Sequence, residues 1–337
     1  MESARKKKII KKVLKYLLFL SIMVVLLYLS FKNILWDEMW KGLKSANIWW
    51  VVFSMIIGYV GFILRAHRWQ FIIEPLGYKP SLKNTYDAVM FMYLTNMAVP
   101  RMGEVARCGA LRKTEKIPFE SLLGTVMLER VFDMVCLFAI GVVVVFLRLD
   151  VFGDFLNTKL WPLFVERTSG SLVLFILLGG FVFFLILVIV FWKQIERLPF
   201  VDKIKKIWLG LLASLKSGFQ LKRRRAFLFY TALIWFFYWL QGYSIILAMP
   251  ETASLGAIDA LFLMIVGGLG WVVPAPGGMG SYHFLVSLAL LAVYAIPNGI
   301  VFAVISHEPQ IILMIIFGLI SWASIAQISK KKVATEL

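Results

Sequence analysis

Cysteine, histidine and acid are all scarce in this chain. Only Cys108 and Cys136 occur among 337 residues. Both fall in or beside apolar stretches, which excludes a disulfide framework and a cysteine-based metal site. Three histidines show no metal-ligand spacing with cysteine, and there is neither a phosphate-binding glycine loop nor a nucleophile elbow. Asp and Glu number 19 against 36 Lys and Arg, a formal charge of +17. No segment between the apolar runs is large enough for a separate soluble domain. The chain is therefore expected to use no cofactor, no metal and no catalytic residue set.

Apolar surface is what the chain has. Hydrophobic residues make up 61% and mean hydropathy is +0.83, outside the range of soluble domains. Runs long enough to span a bilayer occupy 13–31, 48–64, 122–146, 171–192, 226–249 and 310–328. Two more, 82–99 and 255–296, are apolar but broken by Pro, Gly and Asn. The expected fold is an all-α polytopic membrane protein of about six to eight transmembrane helices, residues 1–337 forming a single integral-membrane domain.

The basic charge is placed as topology requires, which argues against nucleic acid as a partner. Residues 1–15 hold seven bases and one acid, and 193–225 hold ten and two, whereas 147–168 hold three of each. This alternation is the positive-inside pattern. The N-terminus, the 65–83 loop, the 193–225 loop and the Lys330-Lys331-Lys332 tail are expected on the cytoplasmic side of a cell inner membrane. The first run reads as an uncleaved helix rather than a signal peptide. Within 193–225, Val201, Ile204, Ile207, Trp208, Leu211, Leu212 and Leu215 form an apolar stripe beside Lys203, Lys205, Lys206 and Lys216. That pattern predicts an amphipathic helix on the inner leaflet.

If 65–83 is cytoplasmic and 147–168 external, the 117–146 run supplies the single crossing between them. Residues 82–112 must then enter and leave on one side, as a broken or re-entrant pair of half-helices. A second break, Pro274-Ala275-Pro276-Gly277-Gly278-Met279-Gly280, lies between two short apolar pieces. Broken segments at corresponding places in two halves point to a transporter's midplane site, with an inverted repeat as one arrangement the pattern allows.

Two charged clusters stand where a membrane protein has few. One is Arg101, Glu104 and Arg107, after Asn96 and Pro100; helical from Pro100, the three would share a face and offer guanidinium forks to a phosphate. The other is Glu129, Arg130 and Asp133, where Glu129 lies roughly 18 Å into its apolar run. A charge at that depth costs about 2.5 to 3.5 kcal/mol on the most lenient scale. Glu129 and Asp133 repel at i,i+4 unless a cation lies between them. Arg130 can reach Asp133, which leaves Glu129 to Arg101 or Arg107. His283 is three residues past the second break and within reach of the same cavity; His67 reads as interfacial and His307, beside Glu308, as a loop residue. Arg65 and Arg68, at the inner end of a span beside Trp69, suit either lipid phosphates or simple anchoring.

Taken together, Arg65-x-x-Arg68-Trp69, Asn96-x-x-x-Pro100-Arg101-x-Gly103-Glu104-x-x-Arg107, Glu129-Arg130-x-x-Asp133 and Pro276-Gly277-Gly278-Met279-Gly280 resemble the flippase-like integral membrane family related to the transmembrane region of lysylphosphatidylglycerol synthase. The likeness runs from the first span to the last. Family members often carry an acidic residue where this chain has His283. The resemblance implies a lipid-handling membrane protein and not aminoacyl transfer, which belongs to a soluble C-terminal domain in the two-part synthases; this chain runs nine residues past its last span.

The expectation is thus a flippase-like protein moving an anionic lipid or lipid-linked phosphate between leaflets. Arg101 and Arg107 would engage the headgroup and Glu104 and Glu129 would act as counter-ions, with Arg65, Arg68, Asn96, Arg130, Asp133, Pro276, Gly277, Gly278 and His283 around the path. Two alternatives stand beside it. One is an integral-membrane enzyme acting on a lipid headgroup through Glu129 and Asp133; the other is a non-catalytic partner in an envelope-synthesis complex. The bilayer and the anionic lipid are the expected partners, with a homo-oligomer or an envelope-synthesis protein also allowed.

Overall fold

The structure, a computed structural model, describes residues 36–149 and 221–336 and six isolated positions between 17 and 28. The expected spans 13–31 and 171–192 and the amphipathic helix of 193–225 lie outside the described residues. The chain divides into two compact units, Met1–Gly141 with Gln220–Leu337, and Val142–Phe219, the second almost wholly outside the described residues.

All regular structure among the described residues is helical. The helices are α1 (Trp36–Ser45), α2 (Ile48–Ile73), α3 (Leu82–Ala98), α4 (Gly103–Glu115), α5 (Phe119–Leu147), α6 (Arg224–Ala248), α7 (Ala257–Val272), α8 (Ser281–Tyr294) and α9 (Gly299–Glu336). Single 3-10 turns at Glu74–Leu76 and Pro276–Gly278 complete the order. Among the described residues, five segments are long and apolar enough to cross a membrane: Ile48–Leu76, Phe119–Leu147, Arg224–Ala248, Pro276–Tyr294 and Gly299–Ile328. Large apolar side chains such as Ile56, Met134, Phe138, Phe229 and Ile320 point outward. In water such a surface would be an association hazard; in lipid it is the solvated face. The protein is a multi-pass membrane protein.

Local signals set the helix ends. Asn47 Oδ1 accepts from Trp49 N at 3.0 Å to start α2, and Ser81 Oγ accepts from Asn84 N at 3.2 Å to start α3. Gly77 after the first 3-10 turn, Lys116 after α4 and Ala295 after α8 take left-handed conformations, which stop the chain from continuing as helix.

Both broken segments are antiparallel helical hairpins. In the first, Gly103 N donates to Asn96 Oδ1 at 2.7 Å near the tip. At its foot, Ser81 N and Asn84 Nδ2 donate to Glu115 Oε1 at 2.9 and 2.6 Å, so α3 begins where α4 ends. In the second, Ser281 Oγ donates to Gly270 O at 2.7 Å by the tip, and Tyr294 Oη donates to Asp259 Oδ1 at 2.8 Å by the foot. The tips meet: Arg101 donates to the Val272 carbonyl, and a Cβ on Gly277 would lie 3.5 Å from Met97.

The order helix, hairpin, helix therefore occurs twice, as α2, α3–α4, α5 and as α6, α7–α8, α9. Helices α2 and α6 run antiparallel, with Asn47 N donating to Ala248 O at 2.8 Å and Arg68 Nη1 to Thr231 Oγ1 at 3.5 Å. The first arm of each hairpin packs against the last helix of the other half. Thus α3 meets α9 through Asp87 with Ser321 and Ser324, and α7 meets α5 where Gly268 faces Leu137. This is the arrangement an inverted repeat produces.

Asp87 is the polar tie between α3 and α9. It is 5% exposed and accepts from Ser321 Oγ at 2.9 Å, Ser324 Oγ at 2.7 Å and Lys83 Nζ at 2.9 Å. Hydrogen bonds to a buried charge each contribute about 1.5–3 kcal/mol, offset by the carboxylate's own desolvation. Asp87→Ala is expected to lower stability by about 1–3 kcal/mol. A thermal melt in mild detergent reads this, and an unchanged melting temperature would show the tie to be dispensable.

Candidate functional site

Arg65 and Arg68 of α2, Arg107 of α4 and Arg130 of α5 converge on Glu129. This side chain is fully buried, with Arg65 Nη2 at 2.8 Å and Arg130 Nη2 at 2.9 Å from Oε1, and Arg107 Nη2 at 2.6 Å from Oε2. Arg68 Nη2 lies 3.2 Å from Oε1, while its Nη1 donates to Asp133 Oδ1 at 2.7 Å. Arg130 and Arg65 also reach Asp133, at 3.4 and 3.9 Å. The i,i+4 repulsion between Glu129 and Asp133 is thereby relieved by three arginines that touch both carboxylates.

Aromatic and hydroxyl groups hold those arginines in place. Arg65 Nη1 donates to Tyr93 Oη at 2.6 Å, and the Arg107 guanidinium stacks over Trp69 with its centre 4.2 Å from the ring centroid. The Trp69 indole N–H is itself spent on Thr125 Oγ1 at 2.8 Å. Each helix contributes by its register: Arg65, Arg68 and Trp69 fall on one face of α2, and Glu129 and Asp133 on one face of α5.

The charges in this network do not balance. Among the described residues, four guanidiniums meet two carboxylates, leaving a formal +2. The Nε groups of Arg65, Arg68, Arg107 and Arg130 are buried with no hydrogen-bond partner among the described residues. Excess positive charge in a low-dielectric interior is costly unless an anion or water offsets it. The side chains of Arg130 and Asp133 are 34% and 23% exposed, so the cluster is open on that side. Planar forks, spare N–H donors and net positive charge are the chemistry of a phosphate or carboxylate site.

A second cluster lies at the second hairpin. His283, on α8, and His307 and Glu308, on α9, bring their ligand atoms within 4.8 Å of one another. His307 Nε2 is 3.0 Å from the Gly277 carbonyl, and Gly277 and Gly278 hold φ of 58° and 73° at the turn that aims it. Pro276, Gly277 and Gly278 are all buried in that turn.

Several expectations need correction. Arg101 is not on the face of α4: that helix starts at Gly103, and Arg101 sits at the hairpin tip with φ 65°, bonded to Val272 rather than Glu129. The cause is the break itself, since the chain must reverse between Ala98 and Gly103 in too few residues to be helical after Pro100. Of the original triad only Glu104 and Arg107 are on the helix, and of the two partners foreseen for Glu129 only Arg107 is used. Arg65, Arg68 and Trp69 are not exposed anchors at a helix end: α2 continues to Ile73 and all three are buried. His307 is within α9 and 2% exposed, not in a loop, because that helix begins at Gly299. Asn96 spends its side-chain oxygen on the hairpin tip.

Comparison with known proteins agrees with this architecture. The family model described as the lysylphosphatidylglycerol synthase TM region matches residues 13–318. The chain belongs to that family. A relative, the UPF0104 membrane protein MJ1595 of Methanocaldococcus jannaschii, is 33% identical over 135 residues, 38% of this chain and 39% of that protein. The match thus spans well under half of the relative's length. No solved structure matches the chain.

Within the family match, sequence reasoning missed Tyr93, Thr231 and Trp69 as supports of the arginines, and Glu308 as the partner of two histidines. Arg65 and Arg68 carried a usable signal, being two cations one turn apart in an apolar run, which calls for buried counter-charge. Glu308 stands beside His307 in the sequence, but its approach to His283 on α8 carried no signal, since that pairing depends on how α8 and α9 pack.

Proposed function

We propose that this protein moves an anionic lipid or lipid-linked phosphate between the leaflets of the inner (cytoplasmic) membrane. The observation that carries this reading is the +2 excess among Arg65, Arg68, Arg107, Arg130, Glu129 and Asp133 in a largely buried cluster whose Nε donors have no partner among the described residues. An anionic headgroup entering past Arg130 and Asp133 would supply the missing charge, and Glu129 and Asp133 would compete with it for the same guanidiniums. That competition keeps binding weak enough for release. Arg101 would act at the hairpin tips, where breaking its bond to Val272 lets the two halves part.

The proposed orientation places both termini in the cytoplasm, as the positive-inside pattern asks. It requires α2 and α9 to run inward and α5 and α6 outward, with the feet of the first hairpin inside and those of the second outside. The antiparallel pairings of α2 with α6, α3 with α9 and α7 with α5 support it.

Mass spectrometry of co-purifying lipid tests the reading, with wild type compared against Arg130→Gln and Arg101→Ala. Wild type is expected to enrich one anionic lipid or polyprenyl phosphate over the bulk membrane. Loss of one charge-assisted contact, at about 1.5–3 kcal/mol, should cut that enrichment by about tenfold or more in Arg130→Gln. Arg101→Ala should keep the lipid and lose transbilayer movement in reconstituted vesicles. Bulk composition in every sample would sink the proposal and leave the network as a static brace. A chemically altered headgroup would indicate an enzyme instead.

A further inference from the structure

We propose that His283, His307 and Glu308 form a binding site for a divalent transition-metal ion of the zinc class, placed where the second hairpin's break meets α9. The inference does not rest on the transport reading. Three features of the cluster carry it.

The first is spacing. Glu308 Oε1 lies 3.3 Å from His283 Nε2 and 3.2 Å from His307 Nδ1. Ligand atoms about 2.0–2.1 Å from a zinc ion at tetrahedral angles lie roughly 3.3–3.4 Å apart, so the carboxylate oxygen and each imidazole nitrogen are already one tetrahedral edge apart.

The second is the proton count. The Gly277 carbonyl only accepts, so at 3.0 Å His307 Nε2 must carry the proton and donate. A neutral imidazole then turns the lone pair of Nδ1 toward a carboxylate oxygen 3.2 Å away. Two acceptors held at that distance need a cation between them. The Nε2–H···O=C bond is also the outer contact that fixes the tautomer and orientation of a metal-binding histidine. The ring has little freedom otherwise: it stacks on Tyr282 at 4.9 Å and 28° and lies 5.4 Å from Trp271.

The third is access. His283 and His307 are buried, while the Glu308 side chain is 39% exposed. Among the described residues, Glu308 is the one charged residue lining a cavity of about 260 Å³ whose other walls, Leu43, Ala46, Val51, Val304 and Ile312 among them, are apolar. The exposed Glu308 side is thus where an ion and a fourth ligand would approach. Three protein ligands with one open position are the pattern of an exchangeable rather than a closed structural site. Once bound, the ion ties α8 to α9 beside the break.

The full chain, purified in detergent and stripped by chelator, is titrated with Co²⁺ and Zn²⁺. The expected result is one Co²⁺ per chain, with the visible absorption of a low-coordinate ion, displaced by Zn²⁺. Binding should weaken by about 100-fold or more in His283→Gln and in Glu308→Gln, beyond what loss of an outer-shell contact costs. His67→Gln, outside the cluster, should bind like wild type. Absence of binding in wild type overturns the proposal and leaves a proton as the bridging cation. Undiminished binding in both variants also overturns it. Should those variants fail to fold, zinc-edge X-ray absorption on wild type decides: a shell containing two imidazoles supports the site, and a shell of oxygen alone overturns it.

Discussion

Glu129→Ala is expected to lower stability by about 3–5 kcal/mol, a large share of the roughly 5–15 kcal/mol that holds a native fold. The reason is what remains after the carboxylate is gone. Arg107 and Arg68 are fully buried, and Arg65 nearly so, and each has a nitrogen within 3.2 Å of Glu129. Without it, the formal charge rises from +2 to +3 and, among the described residues, Arg107 keeps its contacts with Trp69 and Met92. Removing one member of a buried ion set is far worse than never having had it, because the partners' desolvation is no longer offset. Asp133→Ala should be milder, since its side chain is 23% exposed and water can replace it. Denaturant titration followed by tryptophan fluorescence checks both. A Glu129→Ala protein within about 0.5 kcal/mol of wild type would show that water already fills the cluster.

Gly270→Val is expected to force the second hairpin open, costing about 1–3 kcal/mol or more. A Cβ at this position would lie 2.7 Å from the Tyr282 Cα and 3.0 Å from the Tyr282 nitrogen. Those are backbone atoms of the opposing arm, so no side-chain rotation relieves the clash. Separating the arms would also break the bond from Ser281 Oγ to Gly270 O and move His283, two residues further on. A thermal melt against Gly109→Val and Gly109→Ala gives the contrast, because a Cβ on Gly109 meets nothing within 4 Å. Gly109→Ala should be neutral or stabilising by up to about 1 kcal/mol. Equal melting temperatures for wild type and Gly270→Val would mean the arms are not packed as closely as this.

These two substitutions mark the divide between what could be read along the chain and what could not. The two breaks were legible at Pro100 and at Pro276-Gly277-Gly278, because Pro and Gly act on the backbone locally. That each break closes into a hairpin was less so: Gly270 and Gly103 look like any helix glycines until the opposing arm is beside them. The helix ends show the same limit. The 48–64 run ended at Arg65 when judged by hydropathy, yet α2 continues to Ile73, since charges satisfied by other helices do not stop a helix.

The sequence by itself determined the membrane class, the helical content, the two breaks and the presence of intramembrane charge in need of partners. Each follows from composition or from interactions within about one helical turn. Only the tertiary structure decided which charges meet. Arg65 and Arg68 reach Glu129 across more than sixty residues, Arg101 turns away to the Val272 carbonyl, and His283 finds Glu308 on another helix. Helix register places a side chain on a face, but the rotation and pairing of the helices decide what that face meets, and many residues far apart in sequence settle that packing together.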